Sequence, residues 1–534
     1  MIQERTKEKM KRIKKLLGFF CAFALILGMN VIPASANTNP HTITITNEKS
    51  GHTYTAYQVL AGDISAGKLT NITWGSGVDG ESILTALKTP ENGPYESCNS
   101  AEDVADKLAT FENDSDQLDT FAKVVGAHLK TEAGTSTETK GETSSTYKIN
   151  VTGDGYYFVK DTGALGTDDA ATKYILKVVG DVTVAAKAET PTIDKVIVNA
   201  DSANGGEGKG TAQDVGSVVD FKLTSKVPAM DGYDTYTYIV NDTMSAGLTF
   251  NNDVAVTIGG TTYNDFTVKQ DEQSFTITFN NFINQKNNAG KDIVITYSAT
   301  INENALSTKV ETNTVNLEYS NNPYNDTIKG KTPDKVVYVY DFDIVIEKYT
   351  VNETTETHLS GAKFVLYKTV DSKNLYYFYN ETTDKVEWVT LADDAVAAAI
   401  TNKTITEVTT DSNGAAKFQG LDTGTYYLHE TEAPAGYNLL KGDVTVDITA
   451  TYGDNGQITS SSATSTDNGQ YQQTQKIENK AGATLPSTGG MGTTLFYVAG
   501  AGLVLVAVVL LITRKRMNYC FENRKGFILS CFQW

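Results

Sequence analysis

The chain has 534 residues, with 45 basic against 64 acidic side chains and a net charge of −19. Such acidity argues against nucleic acid or other anionic ligands, and the length leaves room for three or four domains. Basic residues gather at the two ends, Arg5 to Lys15 and Arg514 to Lys525, so the body between them is more acidic still.

In chain order, the first element is a basic stretch ending at Lys15, then the apolar run Leu16 to Gly28 and the small residues Ala34-Ser35-Ala36. This is the pattern of a secretory signal peptide, residues 1–36, whose removal leaves a mature chain starting near Asn37. Export bears on the four cysteines. Cys21 leaves with the signal, Cys520 and Cys531 lie in the far C-terminal tail, and Cys98 alone stays, read as a partly buried thiol. No disulfide can then form within the mature chain, and its stability needs another source.

The body alternates apolar and polar residues, as in the TITIT run around Ile43, SFTITF from Ser274, DIVITYSATI from Asp292 and DVTVDITATY from Asp443. Such runs, rich in Thr, Val, Ile and Tyr and separated by turn clusters, predict antiparallel β-sandwiches in tandem. Only Glu81 to Lys130 differs, with Ile83, Leu84, Leu87, then Val104, Leu108, Phe111, then Phe121, Val124, Val125 at helical spacing. Helices are expected there, inserted in a first domain. Pro-containing joints at Ala188 to Thr192 and Lys329 to Lys335 divide the body into residues 37–190, 191–340 and 341–484.

Enzyme constellations do not appear. The five histidines (His41, His52, His128, His358, His429) have no ligand spacing, and neither a nucleophile elbow nor a P-loop occurs. The acidic run Phe111 to Gln117 lacks the Gly and closing Glu of a calcium loop and reads as a turn between helices. No metal, no cofactor and no conventional enzyme activity are expected.

At residues 485–534 the order is LPSTGG (Leu485 to Gly490), an apolar span Leu495 to Thr513, and Arg514-Lys515-Arg516. The span is long enough to cross a bilayer, and the charges after it fix the tail on the cytoplasmic side. This order resembles the cell-wall sorting signal of Gram-positive surface proteins. Together with ITITNEKSGHTYTAYQVLAGD from Ile43, VNDTMSAGLTF from Val240, VNLEYSNNP from Val315 and LHETEAPAGYN from Leu428, it makes the whole mature chain resemble the sortase-assembled backbone pilins, with a last domain of the collagen-adhesin B type. The extension Met517 to Trp534 departs from that pattern.

The resemblance implies a role as the repeating subunit of a cell-surface pilus in the cell wall. A class C sortase cysteine would attack the Thr488 carbonyl within the motif Leu485, Pro486, Ser487, Thr488, Gly489 and pass it to a lysine of an identical subunit. A housekeeping sortase would finally join the polymer to peptidoglycan, with minor pilins and host surface ligands as further partners. In DVTVAAK, Val182, Val184 and Ala186 share one face, which leaves Lys187 facing out beside the first joint. Its place resembles the pilin-motif lysine, although AAK stands where a YPK sequence is usual; Lys173, Lys177 and Lys195 are its neighbours. Ala188 occupies the place of an asparagine that crosslinks the first domain in some relatives, so no such bond is expected here. The alternative is a monomeric wall-anchored adhesin or a minor pilin at the tip or base.

Strand phase adds a chemical expectation. Residues two apart share a face, so Lys348 points inward with Ile344 and Ile346, Glu430 with Tyr426 and Leu428, and Asn479 with Ile477. In the second domain Lys195 runs in phase with Ile193 and Ile197, Asp242 with Tyr238 and Val240, and Asn313 with Val315, Leu317 and Tyr319; Asn316 is out of phase, and Glu303 and Glu311 stay open as alternative acids. Three polar groups in one apolar core are costly unless they meet and react. Burial favours a neutral amine and a protonated acid, so lysine can attack the asparagine amide, releasing ammonia and leaving an isopeptide bond. The expected bonds are Lys195–Asn313 promoted by Asp242 and Lys348–Asn479 promoted by Glu430.

Overall fold

The computed structural model describes residues 40–522 except 66–67, 90–92, 112–114, 172, 179, 187–189, 201–205, 231, 308–309, 324, 326, 393–394, 467–468 and 483–490. The signal peptide, Lys187 and the LPSTG motif therefore lie outside the described residues.

The first sandwich packs a four-stranded sheet, with Pro40–Asn47 between Ser145–Thr152 and Val182–Ala185, against a five-stranded sheet centred on Tyr54–Ser65 and Gly155–Asp161. Alternation along each strand sends Ile43, Ile45, Tyr147, Ile149, Tyr157 and Val159 into the space between them. The central strand Tyr54–Ser65 is buried on both faces, because Tyr57, Val59 and Leu60 meet a second cluster supplied by three helices. Those helices are Gly80–Lys88, Ala101–Leu108 and Asp116–Ala127. Each starts at a side chain that accepts from the first turn: Asp79 from the Ser82 amide, Ser100 from Asp103 and Ser115 from Leu118. Part of the acidic run read as a turn, Asp116 and Gln117, thus opens the third helix. Cys98 is 2% exposed, more buried than expected, and burial pushes its thiol up.

The second sandwich sets Ile193–Ile197, Val218–Lys226 and Asp292–Ile301 in one sheet against Tyr238–Met244, Ser274–Phe279 and Glu311–Ser320 in the other. The third sets Phe342–Asn352, Ala415–Leu421 and Tyr471–Glu478 against Lys363–Val370, Lys373–Asn380 and Gly424–Glu432. Pairing is not uniformly antiparallel. In the first and third sandwiches the opening and closing strands lie side by side in parallel, Ile43 opposite Val182 and Lys348 opposite Ile477. The run DVTVDITATY breaks at Thr449: Val444–Ile448 joins the main sheet, whereas Ala450–Tyr452 forms a hairpin with Ile458–Ser461.

Sandwiches two and three share one continuous apolar core, from Ile193 to Ile477. Their joint is also stitched by polar contacts: Asp214 accepts from Trp388 Nε1 at 2.7 Å, Lys368 Nζ at 3.2 Å and the Asp422 amide at 2.9 Å. Val215 N donates to Gly420 O at 2.9 Å. Gly420 sits at φ +70°, and a Cβ there would lie 2.8 Å from both Val215 and Leu306, so the close approach of the two domains needs glycine. The first sandwich meets the second through the loop after Asp161: Ala171 N donates to Asn321 O, and Lys331 N to Thr167 O.

The C-terminal helix Met491–Glu522 carries the apolar segment Tyr497–Arg516, with mean hydropathy 2.2. Twenty residues of helix rise about 30 Å, enough to cross a bilayer. Its side chains from 497 to 516 are exposed, and so large an apolar surface calls for lipid around it.

Candidate functional site

In the second sandwich the core-facing phase of three strands brings Lys195, Asp242 and Asn313 together, at 1%, 1% and 0% exposure. Lys195 enters from one sheet, while Asp242 and Asn313 come from adjacent strands of the other, where Asp242 is opposite Val315 and Asn313 opposite Met244. Lys195 Nζ lies 2.8 Å from Asp242 Oδ2 and donates to Asn313 Oδ1. Aromatic rings wall the amine in, Phe221 at 5.4 Å and Tyr297 at 5.5 Å from ring centre to Nζ. Tyr297 also takes part in the polar set: its hydroxyl donates to Asp242 Oδ2 at 2.7 Å and accepts from Asn313 Nδ2 at 3.0 Å.

Burial controls the charges here. Desolvation outweighs the pull of Asp242 and brings the Lys195 ammonium down to about 8. The same desolvation raises Asp242 against the opposing pull of Lys195 and Tyr297. Both shifts move the pair toward neutral amine and protonated acid, the forms needed for attack on an amide. The alternative acids stand elsewhere. Glu303 is exposed on a short 3-10 turn, and Glu311 accepts from Ser245 Oγ at 2.5 Å and the Gly247 amide at 2.8 Å. Asn316 faces outward and bonds Asn241 and Asp334.

The third sandwich builds a comparable cluster differently. Lys348 lies on one strand and Asn479 just past the end of its parallel neighbour in the same sheet, the Asn479 backbone N–H donating to Tyr349 O at 2.9 Å. Glu430 reaches them from the opposite sheet, where it is paired with Phe364. Lys348 is 0%, Glu430 3% and Asn479 1% exposed. Lys348 Nζ is 3.0 Å from Glu430 Oε1, an ionic contact off the hydrogen-bond line, and 5.2 Å from the Phe364 ring centre. Asn479 Nδ2 donates to Glu430 Oε2 at 3.4 Å and to Asn438 O at 3.0 Å; the Leu440 amide fixes the same carboxylate oxygen at 2.8 Å. Burial lowers Lys348 against the pull of Glu430. The amide oxygen of Asn479 has no hydrogen-bond partner.

The first sandwich holds a buried polar cluster of another kind. His52 Nδ1 is 2.6 Å from Asp161 Oδ2, and its Nε2 is 3.1 Å from Asp169 Oδ2. Burial works against the imidazolium, but the hydrogen bonds and charges of Asp161 and Asp169 outweigh it and hold His52 up to about 9. Sequence reading set His52 aside as scattered, since its partners lie far along the chain. Tyr297 was also missed as a site residue, although its phase with Ile293 and Ile295 places it on the core face. Among the described residues no group of three or more His, Cys, Asp or Glu could hold a metal ion.

Comparison with known proteins adds three family matches. Residues 215–323 match the Gram-positive pilin backbone subunit 2, Cna-B-like domain; residues 343–466 match a prealbumin-like fold domain; residues 477–518 match the LPXTG cell wall anchor motif. The trypsin-resistant surface T6 protein of Streptococcus pyogenes serotype M6 is 26% identical over 353 residues, covering 59% of this chain and 55% of the relative. The chain thus spans about half the length of that curated relative. Among solved structures, the T6 backbone pilin of the same serotype aligns with TM-score 0.49 and 21% identity over 77% of this chain and 81% of its own. The full-length major pilin SpaD from Corynebacterium diphtheriae aligns at 0.45 and 16% over 84% and 100%. The chain carries, in one polypeptide, the Cna-B-like domain of Gram-positive pilin backbone subunits, a prealbumin-like domain and the LPXTG motif of cell-wall-anchored surface proteins.

Proposed function

We propose that this chain is the repeating shaft subunit of a covalent cell-surface pilus. A class C sortase joins Thr488 of one subunit to Lys187 of the next, and a housekeeping sortase anchors the last to peptidoglycan. The observation that carries the reading is the pair of buried lysine, acid and asparagine clusters in a chain that also carries, in order, LPSTG, an apolar span and a basic cluster. Within each subunit, Lys195 and Asn313, and Lys348 and Asn479, close isopeptide bonds autocatalytically, with Asp242 and Glu430 as the promoting acids. The product serves a shaft well. Tension entering at Lys187 and leaving at Thr488 passes through the second and third sandwiches, the two with reactive clusters, and bypasses the first. Amides in that path hold under load and are indifferent to reduction.

Lys187→Ala should abolish the high-mass ladder in wall extracts while leaving folding intact. A ladder that persists, with Thr488 mapped to another lysine, refutes the acceptor. A second reading, a monomeric wall-anchored adhesin or minor pilin, is favoured by Ala185-Ala186 standing where a Tyr-Pro pair usually precedes the pilin lysine. It expects a single wall-linked band from the wild type.

A further inference from the structure

We propose that Tyr297 is a catalytic residue of the second sandwich, relaying a proton from Asp242 to the departing nitrogen of Asn313. This deepens the amide-forming reading above and rests on it. The geometry that carries it is a closed ring of contacts. Lys195 Nζ meets Asp242 Oδ2, that oxygen accepts from the Tyr297 hydroxyl, the hydroxyl accepts from Asn313 Nδ2, and Lys195 Nζ closes the ring by donating to Asn313 Oδ1. All four groups are buried, so no bulk water is at hand to protonate the leaving amine.

The third sandwich explains why a relay belongs in only one of the two clusters. There the acid is a glutamate, one methylene longer, and its Oε2 meets Asn479 Nδ2 directly at 3.4 Å. In the second sandwich the shorter aspartate spends Oδ2 on Lys195 and Tyr297, and the hydroxyl spans the remaining distance to the amide nitrogen.

The step balances as follows. Lys195 gives one proton to Asp242 and attacks Asn313 Cγ as a neutral amine, forming the Cγ–Nζ bond. The Asp242 proton moves to the Tyr297 oxygen while the Tyr297 proton moves to Nδ2. Nζ then returns a proton to Asp242, the carbonyl re-forms, and the Cγ–Nδ2 bond breaks with release of ammonia. Tyr297 ends unchanged and Asp242 ends protonated beside the new amide.

The test follows pulse-labelled chains of residues 37–488 in a host without sortase, by intact mass and by peptide mapping of the Lys195–Asn313 and Lys348–Asn479 crosslinks. Tyr297→Phe keeps the ring that stacks on Phe221 at 5.3 Å, and its third-domain bond and near-ultraviolet circular dichroism report folding. Asp242→Asn, which keeps the shape of the acid and removes its proton exchange, supplies the unbonded reference, with its folding read by the same two signals. Bond formation in the second domain should slow about 100-fold in Tyr297→Phe, with the third-domain bond unaffected. The double variant Tyr297→Phe/Asp242→Glu, which copies the direct contact of the third domain, should regain it. A bonded wild type with equally fast bonding in Tyr297→Phe overturns the relay alone, as does a double variant that fails to regain the bond. A wild-type second domain with no bond overturns the amide-forming reading and the relay with it.

Discussion

A lysine ammonium with no exposed side-chain surface, as at Lys195 and Lys348, is tolerable only when paired or consumed. Removing the acid leaves the lysine buried without its partner and, in the proposed reaction, takes away the promoter. Glu430→Ala should therefore retain one ammonia in the intact mass and lower the melting temperature of the paired second and third sandwiches by about 8 °C, since a crosslink closing so long a segment restricts the unfolded chain by about 5 kcal/mol. Unaltered melting would contradict the bond at Asn479. His52 is a residue-scale latch of a different type. Replacing it by alanine strands Asp161 and Asp169, which are buried with it, and should cost the first domain about 3–5 kcal/mol. Its folded value is raised to about 9 from 6.5, so its stabilisation is complete below pH 6.5 and is lost as pH rises through 9. Denaturant titration of the first domain across that window should show the loss, and His52→Ala should flatten it.

Whether a residue faces the core is set by period-two alternation, a local property, which is why phase could place Lys195, Asp242, Asn313, Lys348, Glu430 and Asn479 on core faces, while choosing them as reacting sets also took the family resemblance. Which strands lie side by side is set by long-range closure, which local pattern does not encode. The parallel pairing of Phe342–Asn352 with Tyr471–Glu478, and the break at Thr449 in a run that reads as one strand, became visible only in the fold. Tyr297 was legible as a core residue but not as a polar partner, because its hydroxyl acquires meaning only where a second sheet delivers Asp242 and Asn313. His52 failed for the same reason, its partner Asp161 being 109 residues away. Asp214 is the corresponding case at the joint. Asp214→Ala strips partners from the Trp388 indole and the Asp422 amide and should weaken the joint by about 1–3 kcal/mol. Small-angle scattering should then show a wider range of inter-domain angles, and an unchanged profile would mean that the shared apolar core alone holds the joint.

Across the molecule, the shared core of the second and third sandwiches and the separate cores of the first predict two calorimetric transitions rather than three. The first sandwich should melt alone, and Asp214→Ala should bring the other two closer to independent melting. This division matches the proposed load path, in which the paired sandwiches carry tension and the first rides beside it. The claim that unites these scales is that two buried lysines have become amides. Intact mass of residues 37–488, purified from a host without sortase, tests it directly. The mass should fall below the sequence value by two molecules of ammonia, with fragmentation placing the losses at Lys195–Asn313 and Lys348–Asn479; a mass equal to that of the sequence would contradict it.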